Sequence, residues 1–268
     1  MAVSLQSEPR KQVPDSLRPE THEGEMNETI RAAVCRDFNA PLSIEEVTLA
    51  DPGPGEVKVA VKACAICHSD IIFAEGGWGG DLPMVLGHEA AGVVEAVGSG
   101  VDGVAPGDHV VVTLIRSCGT CHYCSGGYQV LCEEVFPLDE TSPISAAGGE
   151  RLGHGLRTGA FAEKVVVEKS QIAVIPKEIA FDAASLLACG VITGFGAVTN
   201  TAQIPAGSRV AVIGCGGVGL NAIQGAAISG ARAVIAMDLS DSKIEAAKRF
   251  GATHGVNPAK ENAAEAVK

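Results

Sequence analysis

The pattern of hydrophobic residues changes near residue 180, which divides the chain into two parts. Up to residue 176, short runs rich in valine and alanine alternate with turns that contain glycine or proline. Runs of this length, bounded by turn residues, are typical of β-strands. The pattern predicts strands at residues 57–61, 92–97, 109–113, 161–167 and 171–175. The first part of the chain is therefore expected to form a compact antiparallel barrel or sandwich.

Beyond residue 182, helical segments alternate with apolar strands. The strand predicted at 209–213 is continuously apolar, which is typical of a strand that is buried on both faces. The other predicted elements are helices at 182–187, 190–199 and about 241–250, a helical stretch that runs from the glycine-rich turn at 214–219 to about residue 229, and strands at 233–237 and 254–257. This alternation is typical of βαβ units.

A glycine-rich turn joins the first of these strands to its helix. Gly214, Gly216 and Gly219 form a G-x-G-x-x-G pattern, and Asp238 ends the next strand. In this context, the glycines permit a tight turn and close approach of a pyrophosphate, which the helix N-terminus favours. Asp238 would bind the adenosine ribose and disfavour a 2′-phosphate, so the pattern predicts NAD rather than NADP. The alternative role for Asp238 is a helix N-cap.

Charge excludes several classes of partner. The 268 residues contain 20 Lys and Arg against 32 Asp and Glu, giving a net charge of −12. Nucleic acids and anionic membranes require a basic face, so neither is an expected partner. Residues 1–25 mix acidic and basic side chains without an apolar core, which predicts a disordered tail and no export signal. The expected location is the cytoplasm.

Cysteine spacing indicates a metal site. Cys118, Cys121 and Cys124 are separated by two-residue gaps, and Cys132 follows after seven residues. Disulfides are rare in a reducing compartment, whereas four sulfurs at such spacings suit tetrahedral zinc. An iron–sulfur cluster uses similar spacings, and unrelated buried thiols are the remaining alternative. Because the loop is polar and rich in glycine, a metal there would have a structural role.

The chain resembles the zinc-dependent medium-chain alcohol dehydrogenases from about Met26 to its end. The resemblance is carried by Cys67-His68-Ser69-Asp70, by residues 87–95 (GHEAAGVVE), by the four cysteines, and by Gly214–Gly219. It implies an α/β protein: a chaperonin-10-like (GroES-like) β-barrel catalytic domain followed by an incomplete Rossmann domain. The expected boundaries are 26–182, including a structural zinc lobe at 116–134, and 183–268.

The resemblance also implies roles for individual residues. Cys67, His88 and Cys189 match the catalytic zinc ligands, a set that leaves one zinc position open. From spacing alone this trio would be weak, because isolated cysteines and histidines are more often packed or solvated. The four cysteines match the structural zinc ligands, so two zinc ions per chain are expected. Ser69 matches the hydroxyl that takes the alcohol proton, Asp70 the acid that orients the imidazole, and Glu89 a carboxylate behind the zinc.

Cofactor contacts follow the same resemblance. His68 matches a position that meets the pyrophosphate, while Thr193 and Val218 match residues around the nicotinamide. Lys243 matches a lysine near the adenosine ribose, and Gly217 belongs to the glycine-rich turn. Many relatives continue the proton relay with a histidine where this chain has Ile72, a side chain that carries no proton.

The implied function is hydride transfer between an alcohol, or an aldehyde in reverse, and NAD. The sequence stops at Lys268, soon after the third predicted strand, so we expect a C-terminally truncated chain that lacks the nicotinamide half of the cofactor site. The alternative function is therefore a catalytically silent, zinc-stabilised fragment. A homo-oligomer is expected for a full-length parent rather than for this chain.

Overall fold

The computed structural model describes residues 27–267, so the tail predicted at residues 1–25 lies outside the described residues. The first part of the structure contains two five-stranded sheets. One sheet has the order β7-β2-β1-β4-β8. Its strands are β1 (Glu28–Cys35), β2 (Ser43–Leu49), β4 (Met84–Val85), β7 (Ile144–Ala146) and β8 (Gly153–His154).

The other sheet has the order β10-β6-β5-β3-β9 and is antiparallel throughout. Its strands are β3 (Glu56–Ala65), β5 (Glu89–Val97), β6 (His109–Val112), β9 (Lys164–Glu168) and β10 (Ile172–Val174). Valine supplies most of its buried core, as in Val59, Val94 and Val165. Branched side chains pack well on a pleated surface, which explains why the valine-rich runs form strands here.

Short helices at the ends of these strands carry many of the functional candidates. They are α1 (His68–Ala74), α2 (His122–Ser125), α3 (Pro137–Glu140), α4 (Phe181–Ser185) and α5 (Gly190–Gly196). A 3-10 turn at Leu186–Ala188 separates α4 from α5, and a π-helical turn at Ala197–Ala202 follows α5. No single described helix is long and apolar enough to span a membrane. One bent pair of helical segments, Phe181–Ala188 with Gly190–Ala202, has the length and composition of a membrane span.

The last part of the chain forms a parallel sheet in the order β11-β12-β13. Its strands are β11 (Arg209–Ile213), β12 (Ala233–Met237) and β13 (His254–Val256). The helices are α6 (Gly217–Ile228), α7 (Asp241–Arg249) and α8 (Ala263–Ala266). Side chains of α6 and α7 share one buried cluster with Val234 and Ala236 of β12.

The prediction that the strand at 209–213 is buried on both faces is wrong. Val210 and Val212 are half-buried against the cluster below α6, whereas Ala211 is exposed and Ile213 is 83% exposed. The reason is that β11 is an edge strand, and among the described residues helices cover only one face of it. An apolar run thus indicated a strand correctly without showing which faces are covered.

Candidate functional site

Four side chains that could hold a metal ion meet at one point, although they come from three distant stretches of the sequence. Cys67 immediately precedes α1, His88 immediately precedes β5 and Glu89 begins it, and Cys189 lies between the 3-10 turn and α5. One donor atom from each of these residues lies within 4.8 Å of the others. The long strands β3 and β5 pair along their length in antiparallel directions. The end of β3 therefore lies opposite the start of β5, which brings Cys67 to His88. The fold therefore builds a compact donor set from three separate stretches.

The carboxylate of Asp70 connects the stretches that carry Cys67 and His88. It is 2% exposed, and its Oδ2 accepts a hydrogen bond from the backbone N–H of Cys67 at 3.0 Å. Its Oδ1 accepts from the backbone N–H of Gly87 at 3.1 Å and lies 3.1 Å from Nδ1 of His88. A carboxylate at Nδ1 favours the tautomer that carries its proton there, which leaves Nε2 as the ligand atom. Asp70 thus fixes the direction of the His88 ring.

Electrostatics at this point favour a cation. Burial, followed by the nearby Cys67 sulfur, raises the pKa of the Cys189 thiol to about 12. The half-buried sulfurs of Cys67 and Cys189 lie close to the buried carboxylate of Glu89, so these groups repel one another when they are ionised. A cation would neutralise this repulsion, and two sulfurs with an imidazole are a ligand set typical of zinc. The residues present therefore fit a zinc ion.

The four cysteines at 118–132 form a second cluster. Their sulfur atoms also lie within 4.8 Å of one another. The backbone N–H of Cys121 donates to Sγ of Cys118 at 3.2 Å, and the N–H of Cys118 donates to Sγ of Cys132 at 3.3 Å. Backbone N–H groups, led by that of Thr120, lower the pKa of Cys118 to about 6. Burial instead raises the pKa of Cys124 to about 12, a cost that a bound cation would offset. All nine cysteines are free, and four converging sulfurs are a ligand set typical of zinc, so this cluster also fits zinc.

The glycine-rich turn has the backbone conformation that its sequence predicts. Gly214 has a φ of +91°, in the region that favours glycine, and its N–H donates to the carbonyl of Met237. A Cβ on Gly219 would lie 1.8 Å from the carbonyl oxygen of Gly214, so only glycine lets α6 start this close to β11. The result is an exposed helix N-terminus of the kind that binds anions.

Asp238 follows β12 directly and lies beside this turn. Its Oδ2 accepts a hydrogen bond from the backbone N–H of Cys215 at 2.9 Å, and its Oδ1 accepts from the N–H of Ser240 at 2.9 Å. These donors, with a smaller contribution from Lys243, lower the pKa of Asp238. The alternative role as an N-cap is not supported, because Ser240 occupies that position at the start of α7.

The other predicted site residues lie on α1, α5 and α6. Oγ1 of Thr193 lies 3.9 Å from Sγ of Cys189, so α5 links the metal candidates to the nucleotide side. A Cβ on Gly194 would lie 2.2 Å from the carbonyl oxygen of Val218, which shows how closely α5 approaches α6. His68 is exposed and Ser69 half-buried at the start of α1. Among the described residues, no hydrogen bond joins His68 or Ser69 to the glycine-rich turn.

Sequence reasoning missed a buried polar network around Arg116. The side chain of Arg116 is fully buried, and it donates to Gln171, Asp139 and the carbonyl of Arg157 at 2.7–2.9 Å. Gln171 in turn donates to the carbonyl of Thr113 at 2.7 Å. One sequence signal was available, since Arg116 ends an otherwise apolar run that begins at residue 110.

Two family models match the chain. "Alcohol dehydrogenase GroES-like domain" covers residues 53–177 and "Zinc-binding dehydrogenase" covers residues 217–268. The S-(hydroxymethyl)glutathione dehydrogenase of Saccharomyces cerevisiae is 42% identical over 236 residues, which are 85% of this chain and 61% of the relative. The alcohol dehydrogenase class-3 of Caenorhabditis elegans has the same identity and coverage. The chain thus spans about three fifths of the length of these curated relatives.

Solved structures agree with this result. An alcohol dehydrogenase zinc-binding domain protein from Burkholderia ambifaria superposes with a TM-score of 0.85 at 38% identity, over 90% of this chain and 67% of that one. The benzyl alcohol dehydrogenase of Acinetobacter calcoaceticus gives a TM-score of 0.80 at 31% identity, over 89% and 66%. The fold is thus a GroES-like domain joined to a Rossmann-type domain. The chain belongs to the zinc-dependent medium-chain alcohol dehydrogenase family.

Proposed function

We propose that the protein transfers a hydride between an alcohol, or an aldehyde in the reverse direction, and NAD, with zinc as the resident metal. The observation that carries this proposal is the meeting of Cys67, His88 and Cys189 within 4.8 Å. Relatives named as alcohol dehydrogenases at about 40% identity support it. We assign the catalytic domain to residues 26–182 and the nucleotide-binding part to 183–268, in line with the positions of the sheets and the two family matches.

Cys67, His88 and Cys189 would hold the catalytic zinc, with Glu89 as a further carboxylate beside them. When bound, zinc supplies a Lewis acid that lowers the pKa of an alcohol and polarises an aldehyde carbonyl. Asp70 keeps His88 in its ligand orientation, since its carboxylate lies at Nδ1 of the ring and accepts from the backbone N–H groups of Gly87 and Cys67. The buried position of Asp70 and His88 keeps this support away from water.

Ser69 would receive the proton of the substrate alcohol. Its hydroxyl lies two residues after Cys67 at the start of α1, and it is half-buried. Ile72, one turn further along α1, carries no exchangeable proton. The proton therefore passes from Ser69 to water or to another side chain, rather than along α1.

The glycine-rich turn Gly214, Gly216, Gly217 and Gly219 would hold the pyrophosphate, with His68 at its other side. NAD, when bound, supplies the hydride acceptor. Thr193 and Val218 would border the nicotinamide, because α5 and α6 touch at Gly194 and Val218. Asp238 and Lys243 would bind the adenosine ribose, and the ionised Asp238 would repel a 2′-phosphate, so NAD is favoured over NADP.

The four-cysteine cluster would hold a second, structural zinc. Primary alcohols, aryl alcohols and the glutathione adduct of formaldehyde are the substrate candidates; relatives of this chain are named for benzyl alcohol and for S-(hydroxymethyl)glutathione. Nine free cysteines suit a reducing compartment, so we assign the protein to the cytoplasm.

A zinc count combined with an NADH-linked alcohol screen tests the proposal on protein purified without chelator. We expect two zinc ions per chain in the wild type. C67S should lose one zinc and all alcohol oxidation while keeping its fold, and C121S should lose the other zinc and lower the melting temperature. C35A is the control, because buried Cys35 belongs to neither cluster and should keep both ions. Wild-type protein without zinc would contradict the proposal.

A further inference from the structure

We infer that Thr113 is a positioning residue for Cys189: its hydroxyl holds the carbonyl that immediately precedes the catalytic cysteine. Oγ1 of Thr113 donates to the carbonyl oxygen of Ala188 at 2.9 Å, across 75 residues of sequence. The inference rests on the proposed function, because it concerns the zinc ligand set. It adds a residue that lies outside the metal-binding motifs and that touches neither metal donor nor cofactor.

The backbone at Cys189 needs such a support. Cys189 has φ −143° and ψ −67°, outside the helical region, so the chain changes direction between the 3-10 turn Leu186–Ala188 and α5. The direction of its Cβ, and hence of Sγ, depends on the peptide that joins Ala188 to Cys189. Ala188 is 2% exposed, so its carbonyl has little access to water as an alternative partner. The Thr113 hydroxyl fixes this peptide at its oxygen.

Thr113 is itself held firmly. It follows directly after β6, whose last residue Val112 is fully buried. Its N–H donates to the carbonyl of Gln171 at 2.9 Å, and its carbonyl accepts from Nε2 of Gln171 at 2.7 Å. Gln171 is fully buried and also accepts from Arg116. A β-branched side chain on a backbone fixed at both ends has few rotamers, so its hydroxyl is a rigid anchor for the Cys189 turn.

Thr193 acts differently and does not replace this anchor. Its Oγ1 lies 3.9 Å from Sγ of Cys189, so it contacts the sulfur and belongs to the proposed nicotinamide border. Thr113 acts only on the backbone and connects Cys189 to the antiparallel sheet. Loss of its hydroxyl should therefore let the Cys189 turn move away from Cys67 and His88. Metal affinity at that site should fall while the four-cysteine site stays unchanged.

The experiment compares cobalt-loaded T113V, T113S and wild-type protein of full length. Cobalt reports thiolate ligation through its charge-transfer absorption, and competition with a chelator gives the release of metal from each site. C67S and C121S assign the two release phases. We expect T113V to lose cobalt from the Cys67 site with affinity reduced about 10-fold, as typical for the loss of an outer-shell partner. T113S, which keeps the hydroxyl, should restore wild-type release and spectrum.

The matched control is T199V, which also removes a threonine hydrogen bond to a backbone carbonyl, that of Phe195 at 3.1 Å. It should release cobalt like wild type. If T113V fails to fold, T113A and T113S provide the same comparison, and failure of both T113V and T113A to fold would overturn the inference in favour of a role in the fold. A T113V protein with wild-type release overturns the inference alone. A wild type that binds cobalt only at the four cysteines overturns the proposed function as well.

Discussion

At the residue scale, Asp70 shows how one carboxylate can organise a site without binding the metal. It satisfies the N–H of Cys67, the N–H of Gly87 and Nδ1 of His88 at 3.0–3.1 Å. A buried carboxylate is costly unless it is paired in this way. Its three partners belong to two different stretches of the chain, so Asp70 holds two ligand-bearing segments together.

We expect D70N to lower zinc affinity at the Cys67 site by about 10- to 100-fold, because the amide binds His88 less strongly and can favour the wrong tautomer. Chelator competition measures this change. D102N is the matched control, since Asp102 is 92% exposed and pairs with Lys169 on the surface. Equal zinc release by D70N and wild type would show that Asp70 does not orient the ligand.

Two buried carboxylates create a pH dependence away from the site. Glu56 and Glu168 are opposite each other on β3 and β9, and both are 8% exposed. Burial, followed by the charge of Glu56, raises the pKa of Glu168 from 4.5 to about 7. Both folded and unfolded chains hold this proton below pH 4.5. Above that pH the unfolded chain releases its proton first, so Glu168 lowers stability progressively as the pH rises from 4.5 to 7.

E168Q should remove this loss. We expect the unfolding free energy of E168Q to exceed that of wild type by about 1–2 kcal/mol more at pH 7 than at pH 4.5. This value allows for solvent screening. Urea unfolding at a series of pH values measures the difference. E46Q serves as control, because Glu46 is exposed on β2. Parallel curves for E168Q and wild type would mean that Glu168 does not titrate in this window.

At the scale of elements, the close contact between β11 and α6 requires a residue without a side chain, Gly219, at the start of the helix. The Cβ of any other residue at 219 would lie 1.8 Å from the carbonyl oxygen of Gly214. Neither backbone can move aside easily, because Gly214 is bonded to Met237 of the neighbouring strand. The strand β11, the glycine-rich turn and the helix α6 are therefore expected to move together as a rigid body.

G219A should cost about 2–3 kcal/mol of stability, in the range of overpacked positions. It should also abolish NAD binding, because the start of α6 must shift. Thermal unfolding and calorimetry with NAD measure the two effects. G217A is the control for stability: a Cβ there meets nothing within 4 Å, so its melting temperature should not fall. A G219A protein as stable as wild type would refute the steric argument.

Local patterns predicted the strands of the parallel sheet well, but the named strands include none from the β7-β2-β1-β4-β8 sheet, and the meeting of distant residues was predicted poorly. The strand at 233–237 begins and ends as predicted, and the strand at 209–213 has the predicted bounds. Both follow from short-range apolar runs. The approach of Cys189 to Cys67 depends on the path of the whole antiparallel part, so only the resemblance indicated it. The Thr113 hydrogen bond to Ala188 joins two unremarkable positions that no spacing rule selects.

At the scale of the whole molecule, the two parts differ in how well they are covered. The two five-stranded sheets carry continuous valine-rich clusters, with Val57, Val59 and Val110 fully buried. The parallel sheet has helices on one face only among the described residues, and β11 presents an open edge beside the exposed Ile213. Open edges with apolar side chains promote association between chains.

We expect this chain to self-associate with rising concentration and I213K to reduce that association several-fold, because a charge on an edge strand opposes pairing. Sedimentation velocity over a concentration series measures it. I44K is the control, since Ile44 is 71% exposed on β2 in the other part of the molecule. If I44K and I213K behave alike, the open edge of β11 is not the contact.

The two cysteine clusters also differ in how much of the chain each one needs. Four sulfurs within 15 consecutive residues can capture an ion as soon as that stretch leaves the ribosome. Cys67, His88 and Cys189 span residues 67 to 189, so these donors meet only after β3 has paired with β5 and the chain has returned to them at Cys189. We therefore expect a newly made chain to bind an ion at the four cysteines first, and occupancy of the other site would report that the chain has assembled correctly.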